Sequence, residues 1–394
     1  MSLFSRFSKA TTERVLIISI GSSNVTGSIV TFGGAQPLIE SVVETQIEVL
    51  PELSLAEFEN EMSKTLTTTL AGLRKGFTPE RIIVYLASPW YASQVRIAKM
   101  SRDLPFVISK TLVNDMISRE LKAFSDEEMG EGRSGADAIR GIESKTMQVK
   151  LNGYITDNPI GVSARDLELS VFIAVAPEDV LKKIEDNIAN EFPHRTITFA
   201  SLIGASFIVV RDRFPHTGEY ILVDVGGEVT DVSLIKDGNL MQTVSFAHGR
   251  NFILRRLSKG LGRSIQESVT ICTLYVEGKV EASIKDKCEE ILKATKDEWL
   301  DAFQKSLFSI SNELSIPDTV LLLCSDDVSP WFIETIRREE FHQYTLTEKE
   351  FKVVVLNAQH FHEALTFTEG TPRDPFIMIE ALANSRHKEI VGSK

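Results

Sequence analysis

The chain has 394 residues, 43% of them hydrophobic and 25% charged, so a large globular core spread over two to three domains is expected. Its formal net charge of −12 argues against a nucleic-acid-binding surface, and no stretch reaches the ~18 apolar residues of a membrane span. Three cysteines without paired spacing fit a reduced, cytoplasmic compartment better than a disulfide framework.

Residues 1–13 are predicted to form an N-terminal tail. Leu3, Phe4 and Phe7 recur at helical spacing beside basic residues, a pattern typical of a short helix at a membrane interface. Three apolar side chains bury little surface, however, so a disordered tail is the favoured interpretation.

A first strand–turn–strand unit is predicted at residues 15–30. A buried-strand pattern at 15–20 leads into the polar turn Gly21-Ser22-Ser23-Asn24, and a returning strand follows at 25–30. Ser54 is then predicted to open a helix that runs to about residue 76, with Glu57 three residues later completing a capping box. A strand at 81–87 follows.

From there to about residue 175 the pattern changes. A strand is predicted at 94–100 and a helix from Ser109. Residues 125–144 are glycine-rich, charged and without periodicity, which is typical of a mobile loop. Two strands are predicted at 146–155 and 167–176, and one of them is expected to be a sheet edge.

The most informative stretch is EYILVDVGGEVTDVSLI, at residues 219–235. Asp224 ends an apolar run, Gly226 and Gly227 form a tight turn, and Thr230 and Asp231 precede a second apolar run. Glycines let the backbone approach a ligand, and a carboxylate beside such a turn commonly holds a hydrated cation next to phosphate. An ordinary hairpin is the alternative, but the unit at 15–30 repeats the pattern and indicates two related halves around one cleft.

The remaining elements complete the two halves. They are a helix at 177–192, a segment at 196–210 that returns to the core, a strand at 240–247, a helix at 250–257, a mostly helical region at 264–316, strands at 320–324 and 352–356, and a closing helix at 375–385.

These motifs resemble the actin-like ATPase superfamily. SIGSSNV at 19–25 is similar to its first phosphate loop and DVGGEVTDV at 224–232 to its second, and the FtsA and PilM branch is the most similar one. Residues 150–174 resemble the last hairpin of the small α/β module that FtsA carries in place of the usual insert. The resemblance implies an α/β, actin-like (ribonuclease H-like) two-lobed fold with a small inserted α/β module in the first lobe. The implied division is 14–83 with 176–203 for the first lobe, 84–175 for the module, 204–385 for the second lobe and 386–394 for a C-terminal tail.

The resemblance also implies a nucleotide cleft for ATP and magnesium. The positions carried over are Gly21, Ser22, Ser23, Asn24, Asp224, Gly226, Gly227, Thr230, Asp231 and Gly249, with Asp224 as the candidate metal ligand.

Several of the family's cleft residues are replaced. Ser19 stands where an aspartate helps to position the metal, and residues 268–272 lack the two charged residues of the ribose-contacting run. Cys324, Ser325 and Asp326 stand where a glycine turn receives adenosine, and Asp327 follows. Added carboxylates repel a triphosphate, so the cleft is predicted to be degenerate.

The favoured function is therefore an actin-fold scaffold or adaptor at the cytoplasmic face of the membrane, with an FtsA-like role in cell division. The alternatives are a PilM-like platform protein for type IV pilus assembly, an active ATPase of the same fold, or a sugar-kinase relative. The resemblance implies division or pilus assembly proteins as partners, bound through a cytoplasmic peptide of a membrane protein, together with possible self-association. A nucleic-acid partner is not expected.

Overall fold

A computed structural model describes residues 12–74, 76–129, 138–311, 315–337 and 350–390. The strands in chain order are β1 (Glu13–Ile20), β2 (Asn24–Phe32), β3 (Leu38–Gln46), β4 (Arg81–Leu86), β5 (Ala92–Val107), β6 (Ile139–Leu151), β7 (Tyr154–Ile155), β8 (Ser163–Pro177), β9 (Ile197–Ser201), β10 (Tyr220–Val225), β11 (Thr230–Lys236), β12 (Asn239–Phe246), β13 (Thr319–Leu323), β14 (Lys352–Val355) and β15 (Thr366–Phe367). The helices are α1 (Leu55–Leu73), α2 (Lys110–Met129), α3 (Glu178–Glu191), α4 (Leu202–Arg213), α5 (Arg250–Leu261), α6 (Ile265–Val276), α7 (Ala282–Ser311), α8 (Ser329–Ile336) and α9 (Pro375–Ile390).

The first and second sheets have the same internal topology. The first is ordered β15-β3-β2-β1-β4-β9 and the second β12-β11-β10-β13-β14. In each, three consecutive strands pair antiparallel and the next two join in parallel: β1 with β4 and β4 with β9, and likewise β10 with β13 and β13 with β14. The two predicted strand–turn–strand units occupy equivalent places, as β1–β2 and β10–β11.

Each of these sheets has its own apolar core. The strands that form the two hairpins are rich in β-branched residues. These strands are buried almost throughout, because helices cover the sheets. In the first lobe, α1 buries Phe58, Met62, Leu66 and Leu70 in this way. In the second lobe, Trp299 and Phe303 of α7 pack into the core beneath the second sheet.

The third sheet contains four strands in the order β5-β8-β6-β7. Its central strand β8 pairs antiparallel with β5 on one side and with β6 on the other. The short β7 covers only Lys150 and Leu151 of β6, so the rest of the outer edge of β6 has no strand partner among the described residues. Helix α2 packs on one face of the sheet through Met116, Leu121 and Phe124.

Three local predictions are wrong. The segment 125–144 is not one loop, because α2 continues to Met129 and β6 begins at Ile139; residues 130–137 lie outside the described chain. The strand predicted at 146–155 is broken by a turn at Asn152 and Gly153, whose φ angles are 50° and 85°. Ser54 does precede α1, but its side chain makes no capping hydrogen bond.

The chain ends are only partly described. The predicted N-terminal tail lies outside the described residues up to position 11, and β1 already begins at Glu13. At the other end α9 continues to Ile390, beyond the helix predicted for 375–385, and residues 391–394 are not described. Within the described part of the chain, no helix has the length and apolarity needed to span a membrane.

Candidate functional site

The turns of the two hairpins meet between the lobes. The first loop (residues 21–24) closes with a hydrogen bond from Gly21 N–H to the Asn24 carbonyl oxygen at 3.0 Å. The second loop (residues 226–229) closes in the same way, from Gly226 N–H to the Val229 carbonyl oxygen at 2.9 Å. Strands β1 and β10 hold equivalent places in their sheets, and each is followed by one of these turns. The fold therefore brings both turns to one cleft.

The two loops are in direct contact. The backbone N–H of Glu228 donates to Ser22 Oγ at 2.9 Å. A Cβ atom placed on Gly227 would lie 2.7 Å from both the carbonyl carbon and the carbonyl oxygen of Ser22. Gly227 is therefore needed for this close approach, and the first loop occupies the space against the second.

Helix α5 begins against the second loop. The N–H groups of Arg250 and Asn251 donate to the carbonyl oxygens of Gly226 and Gly227, at 2.9 and 2.7 Å. Gly249, just before the helix, has room for no side chain, because a Cβ there would lie 2.4 Å from the Gly226 oxygen. These N–H groups at the start of α5 are already satisfied within the protein, although free helix N-terminal N–H groups are the usual partners of phosphate.

A buried ion pair supports this junction. Glu228 is 5% exposed and accepts hydrogen bonds from the Arg255 guanidinium and from Asn251 Nδ2. Arg255 also donates to the carbonyl oxygen of Leu50, in the segment that follows β3 of the first lobe. The network therefore joins the second loop and α5 to the first lobe.

Asp224 and Asp231 lie directly opposite each other on β10 and β11. Asp231 accepts hydrogen bonds from the hydroxyls of Ser88 and Ser245. Burial raises the pKa of Asp231 to about 6, against the lowering effect of these two hydroxyls. Burial and the neighbouring Asp231 raise the pKa of Asp224 well above the ordinary aspartate range.

The cleft between the loops encloses a cavity of about 230 Å³. Its lining includes five carboxyl side chains, which belong to Glu44, Asp224, Asp231, Asp326 and Asp374. Among the described residues that line it, none is Lys, Arg or His. The electrostatic character of the cavity is therefore acidic.

The structure brings most of the sequence-predicted positions to this cavity. Its lining contains Gly21, Ser22, Ser23, Asn24, Asp224, Gly226 and Asp231. Gly227, Thr230 and Gly249 lie behind the loops instead: the two glycines permit close backbone packing, and Thr230 Oγ1 donates to the carbonyl oxygen of His248 at 2.8 Å. Ser19, Cys324, Ser325 and Asp326 also line the cavity, whereas Asp327 is paired with Arg250 at 2.6 Å.

Sequence reasoning missed four residues at the cleft. Glu44 accepts a hydrogen bond from Asn24 Nδ2 at 2.8 Å, and Asp374 caps α9 by accepting from Ile377 N–H at 3.0 Å. Trp90 donates its indole N–H to the Gly21 carbonyl oxygen at 2.7 Å, and Ser88 holds Asp231. Only Asp374 carried a local signal, because an aspartate just before a predicted helix is a typical N-cap.

Comparison with known proteins identifies the architecture. No protein-family model matches the sequence, and no curated protein matches it. Among solved structures, the PilM–PilN type IV pilus biogenesis complex superposes with a TM-score of 0.59 at 11% identity, over 95% of this chain and 97% of that chain. The chain has an actin-like ATPase fold.

Two further solved structures are also similar to this actin-like chain. A protein of unknown function with an actin-like ATPase fold from Bacteroides thetaiotaomicron has a TM-score of 0.43 at 10% identity, covering 97% of this chain and 99% of that one. The ethanolamine utilization protein EutJ from Carboxydothermus hydrogenoformans has a TM-score of 0.43 at 10% identity, covering 95% and 89%.

ATP with magnesium, which the actin-like fold implies, does not fit the residues of this cleft. A triphosphate needs cationic side chains or free backbone N–H groups, and the described lining offers five carboxyl groups and no cation. The volume of about 230 Å³ is also below the ~300–1,000 Å³ of typical small-molecule sites. In the described chain, no group of three or more His, Cys, Asp or Glu residues is arranged to hold a metal ion.

Proposed function

We propose that this protein is an actin-fold adaptor that holds partner proteins together and does not hydrolyse ATP. The observation that carries the proposal is the closed junction between the loops, in which Ser22 is bonded to Glu228 and the first N–H groups of α5 are used by Gly226 and Gly227. Phosphoryl transfer needs groups that position and neutralise the phosphates, and these contacts leave few of them free.

Nucleotide binding and turnover test this part of the proposal. Purified protein is expected to show no saturable binding of ATP with magnesium at micromolar concentrations, and no steady-state hydrolysis. Turnover of ~1 s⁻¹ or more, the low end for phosphoryl-transfer enzymes, would overturn it. Loss of such activity in Asp224→Asn, measured in the same preparation, would place the reaction in this cleft.

We favour a role as a type IV pilus platform protein over an FtsA-like role in cell division. The support is the likeness to the PilM–PilN type IV pilus biogenesis complex, which extends over 95% of this chain. The division role ranks second, because it rests only on the resemblance of residues 150–174. Under either role the protein would be cytoplasmic and peripheral to the inner face of the membrane.

We propose that the third sheet recognises the partner protein. We divide the chain as 14–83 with 176–203 for the first lobe, 84–175 for the inserted module and 204–385 for the second lobe, with short tails at 1–13 and 386–394. The outer edge of β6, which pairs with β7 only at Lys150 and Leu151, can accept an extended peptide by strand addition.

Exposed apolar side chains flank this edge. Tyr154 and Ile155 of β7, at one end of this edge, are 81% and 64% exposed. Such a cluster beside an open strand edge is typical of a peptide-binding surface, because pockets between alternate side chains give specificity.

A binding experiment with a matched control tests the surface. The cytoplasmic segment of a PilN-type protein from the same genome is titrated into the full chain and into Tyr154→Ser/Ile155→Ser. Affinity is expected to fall at least ~10-fold in this variant, on the scale of interface hot spots. Phe308→Ser, at a 74% exposed position on α7, should bind like the unmodified chain. Equal affinities for all three proteins would exclude the module edge.

A further inference from the structure

The acidic cleft between the lobes has a chemistry that the adaptor role does not explain. Carboxyl groups occur both on its floor, at Asp224 and Asp231, and nearer its other walls, at Glu44, Asp326 and Asp374. No Lys, Arg or His side chain from the described residues lines it. Several carboxyl groups that line one cavity usually have a cationic partner there.

One of these carboxylates is buried and has no partner. Asp224 is 7% exposed and lines the cavity, yet no described residue donates a hydrogen bond to its carboxylate. Its neighbour Asp231, directly across the strands, does receive two hydroxyl hydrogen bonds. Burial and the facing Asp231 disfavour the charged form of Asp224, and an ammonium group placed against its carboxyl group would favour that form.

The walls between the carboxylates are apolar. Leu202, Val225 and Val229 line one part of the cavity, and Pro375, Phe376 and Ile377 line another. A fully hydrated inorganic cation gains nothing from such walls, whereas a chain of methylene groups is desolvated favourably against them. The ring of Phe376 can also attract an ammonium group placed over its face.

We propose that this cleft binds an aliphatic polyamine. One ammonium group bonds to Asp224 on the cavity floor, the methylene chain lies along the apolar walls, and a second ammonium group faces the outer carboxylates, which include Asp326. The volume of about 230 Å³ suits a thin, flexible chain better than a nucleotide. The cleft of this actin-like fold would then sense an organic cation in place of a phosphorylated ligand.

Calorimetric titration of the full chain with spermidine tests the proposal. We expect one saturable site at physiological salt, where weak attraction to the net charge of −12 is screened. Asp224→Asn keeps the shape of the side chain and removes its charge, so affinity should fall roughly 10-fold or more. Asp157→Asn removes one exposed charge on the module, away from the cleft, and should bind spermidine like the unmodified chain.

Three further arms separate the competing explanations. 1,6-Hexanediol carries methylene groups without ammonium groups and should not bind. Magnesium alone should not displace spermidine, and ATP with magnesium should not compete. If Asp224→Asn does not fold, Asp326→Asn at the exposed rim is used instead, with an expected loss of roughly two- to fivefold.

The outcomes are decisive in each direction. Three results would overturn the polyamine site. They are equal weakening of spermidine binding in Asp224→Asn and Asp157→Asn, many weak spermidine sites instead of one, and displacement of spermidine by magnesium. The adaptor proposal would survive all three results, because it depends on the absence of ATP turnover and on partner binding at the module. Tight binding of ATP with magnesium would contradict both proposals.

Discussion

Glu228 and Ser22 are joined by a hydrogen bond of 2.9 Å that links the second lobe to the first. The donor is a backbone N–H at the turn of one hairpin, and the acceptor is a hydroxyl at the turn of the other. The bond therefore closes the cleft where the two turns meet. Substitutions of residues next to it test how much this contact contributes to stability.

Gly227→Ala should destabilise this junction. The added methyl would lie 2.7 Å from the Ser22 backbone, so the loops must move apart, at a cost of about 1–3 kcal/mol in unfolding free energy. Urea denaturation measures the change. Gly218→Ala is the control, since a Cβ there meets no atom within 4 Å, and a loss of equal size in both variants would contradict the steric argument.

Arg255→Met should be far more damaging than the same change at a surface arginine. It leaves the buried Glu228 carboxylate with Asn251 as its remaining side-chain partner, and breaking a buried pair in this way costs about 3–5 kcal/mol. Arg263→Met breaks the exposed pair with Glu267 and should cost at most about 1 kcal/mol. Similar denaturation midpoints for the two variants would show that the Glu228 network contributes little.

Stability should fall as pH rises through the titration of Asp231. Its pKa is raised from 3.8 to about 6 in the folded state, so the folded protein binds more protons than the unfolded chain between these values. Unfolding free energy is therefore lost over this window, by at most about 3 kcal/mol for this one group.

The comparison with Asp231→Asn isolates this contribution. The variant keeps an oxygen acceptor for Ser88 and Ser245 but cannot titrate. The difference in unfolding free energy between the variant and the unmodified chain should therefore shift in favour of the variant as the pH rises from 4 to 7. Parallel stability curves for the two proteins between pH 4 and 7 would be inconsistent with a buried, titrating Asp231.

Glu143→Ala should loosen the contact between the third sheet and the first lobe. Glu143 of β6 accepts hydrogen bonds from the backbone N–H and the hydroxyl of Ser201, the N-cap of α4, and pairs with Lys145. Removing the carboxylate leaves these donors unsatisfied, with an expected loss of about 1–3 kcal/mol.

Hydrogen exchange at the start of α4 gives a local readout of the same change. The Gly204 N–H, which donates to Ser201 Oγ at 3.2 Å, should exchange faster in Glu143→Ala than in Glu143→Gln, which keeps an acceptor. Equal protection in the two variants would mean that Ser201 caps the helix without help from β6.

The hairpins could be predicted from the sequence because their pattern is local. The β-branched runs that flank residues 21–24 and 226–229 define both strands and both turns without reference to any distant residue. The segment 125–144 could not be assigned in this way: its glycines and charges resemble a loop, yet its first part continues α2 and its last part pairs with β8. Strand pairing is a long-range property that composition does not carry.

The cleft was predictable only in part for the same reason. Sequence motifs located Asp224, Gly226 and the first loop, but Glu44 and Asp374 reach the cavity from elements far away in the chain. The contact between Ser22 and Gly227 depends on how closely the lobes approach, which no local pattern encodes. Likewise, the Ser54 capping box was expected from spacing alone, and its side chain makes no such bond in the folded protein.

Strands β5 and β8 of the third sheet run side by side. Ala92, at the start of β5, pairs with Val175 near the end of β8. The chain therefore leaves the first lobe and returns to it at two adjacent positions. The residues between these positions can change in number without displacing the start of β5 or the end of β8. A segment whose two ends are adjacent in space tolerates insertion and replacement, so the third sheet is the part of this fold where the chain can vary most freely in length and sequence.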